Sequence, residues 1–121
     1  MTIRDCIGRL DSLLHNTCTD DEKISWLSAV DGQIQLQIID AHEGGGTPFT
    51  PYQSGDGERT LLAQPPFDQM YLHYLQAQIH YLNGELRRYN NAITLFQSCF
   101  DSYVNHYNRT HRPLGAKFRY F

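Results

Sequence analysis

At 121 residues and 14.0 kDa the chain is long enough for one compact domain and little more. Apolar residues make up 40% of it and charged residues only 19%, a balance that excludes global disorder. Three cysteines, an odd number, exclude a disulfide scaffold and suit a reducing compartment, and no run of apolar residues is long enough to span a membrane. Met1-Thr2-Ile3-Arg4-Asp5 lacks an apolar h-region and does not read as a secretory signal.

The net charge of −3 hides a dipole. Residues 1–43 carry eight acids against three bases, and residues 44–86 carry four acids against Arg59. Residues 87–121 hold Asp101 alone against Arg87, Arg88, Arg109, Arg112, Lys117 and Arg119. A basic end can meet nucleic acid or the acidic face of an identical neighbour, and a pI near 6.0 favours protein contact.

In chain order, the first predicted helix spans about 3–15, where Ile3, Ile7, Leu10 and Leu14 form one stripe behind a Thr2 cap. The second spans about 20–42. It opens on Thr19-Asp20-Asp21-Glu22, a capping box whose acids suit the positive helix end. Its apolar face runs through Ile24, Leu27, Val30, Ile34 and Ile38. Asp31-Gly32 interrupts it, which predicts a kink or a close crossing at Gly32. Gly44-Gly45-Gly46 ends the helix and begins a loop over 43–65 that contains Pro48, Pro51 and Ser54-Gly55-Asp56-Gly57. Phe49 and Tyr52 lie in it, and a strand-like piece fits Thr60-Leu61-Leu62. The loop reads equally as a mobile surface segment or as an arm that orders on a partner.

A helix over 66–108 follows Pro65-Pro66. Leu72, Leu75, Ile79, Leu82, Leu86, Tyr89, Ile93, Phe96, Phe100, Tyr103 and Tyr107 advance by threes and fours as a heptad seam. The unbroken phase favours one continuous helix of about 60 Å, overhanging its domain and needing a second chain. Asn83-Gly84 and Asn90-Asn91 favour the alternative, a turn at 83–91 and a helical hairpin. Pro113 ends any helix, and Arg112, Phe118, Arg119, Tyr120 and Phe121 in the arm 112–121 read as a docking segment. The fold class is therefore all-α: a small domain of three to four helices with a long C-terminal helix, a long Gly/Pro loop and an extended arm.

No motif for catalysis stands out. His73 and His80 are two helical turns apart, about 10 Å, too far to share one ion. The sequence has no HExxH or CxxC, no GxSxG and no phosphate-binding loop, so no catalytic, metal or cofactor residue is assigned. Tyrosines beside Arg87 and Arg88 could stack nucleobases, but at helical spacing they fit a subunit interface better. Phe49, Tyr52, Arg87, Arg88, Tyr103 and Tyr107, with the aromatic and basic residues of the arm, are the candidate interface residues.

Asp21-Glu22-Lys23-Ile24-Ser25-Trp26-Leu27-Ser28 leading to Asp31-Gly32, then His42-Glu43-Gly44, resembles small prophage-encoded proteins of long-tailed phages. So do Tyr74-Leu75-Gln76-Ala77-Gln78-Ile79, Asn83-Gly84-Glu85, Arg88-Tyr89-Asn90-Asn91 and Tyr107-Asn108-Arg109-Thr110-His111 with Pro113. The layout is similar to that of helical head–tail connectors, from which the chain departs in its longer aromatic last helix and its long loop. The resemblance implies a virion structural protein forming an oligomeric ring at the neck. It would be assembled in the host cytoplasm or held there when expressed from a prophage. The implied partners are copies of itself and portal, tail or neck proteins, with non-specific contact to packaged DNA and no membrane. The alternative is a small helical nucleic-acid-binding protein, a packaging or regulatory subunit.

Overall fold

The computed structural model describes residues 1–42 and 48–111. Among these residues there are four α-helices: α1 (Ile3–Leu13), α2 (Asp20–Ile34), α3 (Gln69–Leu82) and α4 (Leu86–Thr110). The all-α class holds.

Both early helices start at their caps. Thr2 Oγ1 accepts the Asp5 amide at 3.1 Å, while the Thr2 amide donates back to Asp5 Oδ2 at 3.3 Å. Thr19 Oγ1 accepts the Glu22 amide at 3.2 Å, but its own hydroxyl, not its amide, donates to Glu22 Oε1. α2 does not run unchanged to residue 42: it passes into one π-helical turn, Gln35–Ile39, and stops there. The expected disturbance at Gly32 is a close approach. A Cβ there would stand 3.6 Å from the Phe49 ring, so the small residue lets the loop lie against the helix.

The expectation of a continuous helix over 66–108 is corrected. Pro65 and Pro66 have no amide to donate, the chain makes successive tight turns over 64–68, and the helix begins only at Gln69. It then ends at Leu82 and reverses. Gly84 takes φ +73°, Glu85 N donates to the His80 carbonyl at 2.9 Å, and Gly84 N donates to the Tyr81 carbonyl at 3.1 Å. This crossed pair of bonds around a left-handed glycine is a Schellman stop. α3 and α4 thus fold onto each other as a hairpin. Each half of the heptad seam faces the other, with Leu72, Leu75 and Ile79 buried against Phe96, Phe100 and Tyr103. At 25 residues α4 is about 37 Å long against about 21 Å for the 14-residue α3, so its last turns extend onto Phe67 and His42.

A Cβ on residue 84 would meet no atom within 4 Å, so Gly84→Ala tests backbone strain alone. We expect it to lower the unfolding free energy by about 1–2 kcal/mol, read from the urea midpoint at unchanged m-value.

α1, α2 and the hairpin share one core with the described part of the loop, whose Tyr52, Leu61 and Ala63 are buried. Residues 57–61 run antiparallel to the N-terminus: Ile3 N donates to the Arg59 carbonyl at 3.0 Å, Arg4 N to the Gly57 carbonyl at 2.9 Å, and Leu61 N to the Met1 carbonyl at 3.0 Å. Thr2 and Thr60 form the single bridge of this ladder, which is the strand-like piece expected near residue 60. Over 48–65 the loop lies against its own domain, held by the buried Tyr52, Leu61 and Ala63 and by these backbone bonds.

Candidate protein interface

The hairpin leaves part of the seam uncovered. Leu82 and Leu86 flank the reversal, and with two such positions so close to a three-residue turn neither finds a facing helix. They are 58% and 64% exposed, and Tyr81 beside them is 59% exposed. Half-buried Tyr89 packs on Tyr81 at 5.5 Å between ring centroids, which holds that ring against the tip. Arg87 and Arg88 are exposed in the first turn of α4, a helix end that ordinarily favours acids. Glu85 is occupied locally: Arg88 donates to its carboxylate at 3.2 Å and His80 Nδ1 lies 3.2 Å from it. The bond from His80 and the nearby Arg88 hold the Glu85 carboxyl below its usual range. Arg87 has no ion-pair partner among the described residues, so the tip is apolar and carries net positive charge.

On a different face, an open groove of about 750 Å³ runs along α2 between Ser25, Ala29 and Gly32 on one side and Phe49 and Pro51 on the other. It joins a cleft of about 360 Å³ between α1 and α2, floored by Ile7 and Ile24 and rimmed by Asp11, Asp20 and Asp21, with Arg4 also in its wall but paired with Glu58. Asp21, Ile24 and Ser54 line both spaces. Asp11 is committed to the buried Lys23, whose Nζ lies 2.7 Å away, and this bond lowers the Asp11 pKa. Asp20 reaches the same Lys23 only at 4.0 Å, and Asp21 has no ion-pair partner among the described residues.

The outer wall of the groove is anchored from below by a buried carboxylate. Asp31, fully buried in α2, accepts the hydroxyl of Tyr71 in α3 at 2.5 Å, the hydroxyl of Tyr52 in the loop, and the Leu62 amide at 3.1 Å. The Ala63 amide in turn donates to the Tyr71 hydroxyl at 2.8 Å. Burial pushes the Asp31 pKa up against the pull of these three hydrogen bonds, and it pushes both tyrosines up as well. Ser28 Oγ accepts the Tyr52 amide at 3.1 Å, and the Arg59 guanidinium lies 4.5 Å over the Tyr52 ring.

This network redistributes the candidate residues. Tyr52 and Tyr103 are buried and serve the monomer core: Tyr52 is held by Asp31, and Tyr103 packs on Phe67 with its hydroxyl pushed up to about 12 by burial. Phe49 packs edge-on against Tyr52 and keeps part of its ring in the groove. Arg87 and Arg88 stand exposed at the tip. Tyr107, at the far end of α4, stacks on His111 at 3.7 Å and meets His42 edge-on at 4.8 Å. His42 is buried there, donating from Nδ1 to the Ile38 carbonyl at 2.5 Å and pairing through Nε2 with Asn108 at 2.7 Å. Arg112, Phe118, Arg119, Tyr120 and Phe121 lie outside the described residues.

Among the described residues no three His, Cys, Asp or Glu side chains are placed to hold a metal ion, and no helix is long and apolar enough to cross a membrane. Cys6 is fully buried in the core, where burial pushes its thiol up to about 12. Sequence reasoning overlooked Asp31 and the α2 groove. No family model matches the chain, and neither a curated protein nor a solved structure is detectably similar to it.

Proposed function

We propose that the chain is a virion structural protein of the head–tail connector kind, assembling with copies of itself and acting without catalysis. The observation that carries this reading is the hairpin tip. Tyr81, Leu82 and Leu86 are more than half exposed in a chain whose core is already closed without them. Apolar side chains clustered at a protruding end and flanked by exposed arginines are the composition of a partner-binding surface. The resemblance of several segments to small virion proteins of long-tailed phages supplies the kind of assembly, and the separation of acidic and basic stretches along the chain suits contacts between identical neighbours.

Light scattering and electron microscopy of the full chain test it. We expect discrete oligomers that grow with concentration. A chain that stays monomeric at the highest attainable concentration contradicts the reading. So does steeply salt-dependent binding of duplex DNA that is lost in Arg87→Ala/Arg88→Ala/Arg109→Ala, which assigns the basic surface to nucleic acid instead.

A further inference from the structure

We propose that the hairpin tip of one copy seats in the groove along α2 of the next copy. The inference rests on the self-assembly reading and names its contact. Three observations lead to it. The first is fit: the tip offers a compact apolar knob, Tyr81, Leu82 and Leu86, and the groove offers an open channel of about 750 Å³ with small residues on one side and the half-buried Phe49 on the other. Ser25, Ala29 and Gly32 let a foreign side chain come close to the α2 backbone, as the Phe49 ring does at Gly32.

The second is charge. A knob seated over Ala29 and Phe49 brings Arg87 and Arg88 towards the acidic rim where the groove meets the α1–α2 cleft. There Asp21 is unpaired among the described residues, and Asp20 has only a distant hold on Lys23. Pairing two tips would instead bring arginine against arginine, which costs association energy. The third is separation. No residue of α3 or α4 lines the groove or the cleft, so tip and groove are distinct faces of one molecule. A contact between two unlike faces is heterologous: repeated, it closes a ring or continues as a filament. A tip-to-tip contact would stop at a dimer.

Charge reversal in the full chain tests the pairing. Arg87→Glu/Arg88→Glu and Asp20→Lys/Asp21→Lys should each weaken self-association by about tenfold or more in sedimentation velocity. Mixed in equal amounts they should recover it. In the mixture each reversed tip faces a reversed groove, and each native tip faces a native groove, so copies alternate. Recovery confined to the mixture supports the pairing, because two merely damaged proteins do not repair each other. Asp20→Asn/Asp21→Asn guards against misfolding of the lysine variant, since it keeps the first turn of α2 free of new cations. It should weaken association in the same direction by a smaller factor. If the wild type assembles while both reversals assemble equally well, or if mixing restores nothing, the pairing is wrong and self-assembly stands. If the wild type never assembles, both fall.

Discussion

Asp31→Ala should lower the unfolding free energy by about 3–5 kcal/mol, more than any surface change in the chain. The substitution removes an acceptor that three donors share: the hydroxyls of Tyr52 and Tyr71 and the amide of Leu62. All three stay behind in a site from which water is excluded, and each unsatisfied donor costs about 1–3 kcal/mol. Single domains are stable by only about 5–15 kcal/mol, so the melting temperature should fall by roughly 10–20 °C. Thermal melts followed by circular dichroism read the loss. A change below about 1 kcal/mol would mean that the loop is held by its apolar contacts alone.

The pH dependence of the same site has a definite sign. Because burial raises the Asp31 pKa in the folded state, that state holds the proton more tightly than the unfolded chain does. The contribution of Asp31 to stability therefore falls as pH rises from near the ordinary aspartate value through the raised one. Asp5, Asp11 and Glu85, whose pKa values are lowered, act in the opposite sense and lose stability on acidification. The informative quantity is the difference between wild type and Asp31→Asn, in which those three groups cancel. We expect that difference to move against the wild type as pH is raised from about 4 towards neutrality.

The second large effect is on association. Leu82→Ser/Leu86→Ser should leave the melting temperature almost unchanged, because exposed positions contribute within about 0.5 kcal/mol. Self-association should weaken by about thirtyfold or more, given roughly 1–2 kcal/mol for covering each leucine at an interface. Leu75→Ala, in the same seam but fully buried, should reverse this pattern: a loss of about 2–5 kcal/mol in stability. Sedimentation velocity with parallel urea titrations separates the two outcomes.

The seam shows how far periodicity can be read. Every position from Leu72 to Tyr107 keeps the heptad phase, yet the chain reverses at Gly84. A three-residue connection, Asn83-Gly84-Glu85, adds almost one helical turn to the count, so two helices packed on each other keep the phase of one helix packed on a partner. Asn83-Gly84 was the local signal that decided the matter, since only a glycine takes the left-handed angle without strain. The caps at Thr2 and Thr19 were legible for the opposite reason: all their partners lie within three residues.

Asp31 was harder to read. Ile24, Leu27, Asp31, Ile34 and Ile38 step by threes and fours, so an acid occupies a core position of the α2 stripe, and that placement was the available signal of a buried carboxylate. Its donors could not be found in this way. Tyr52 and Tyr71 lie 21 and 40 residues away, and only the packed loop brings them to it. The groove arises from the same long-range closure, because Phe49 and Pro51 come from the loop and Ala29 and Gly32 from the helix.

Hydrogen exchange of the full chain, compared at low and high protein concentration, tests the assembly most directly. We predict added protection at high concentration in two places together, residues 81–89 at the hairpin tip and residues 20–32 with 49–54 at the groove, with the His42–Tyr107 end of the molecule unchanged. Protection that grows elsewhere while both of these surfaces keep exchanging freely, or a pattern independent of concentration, would contradict it.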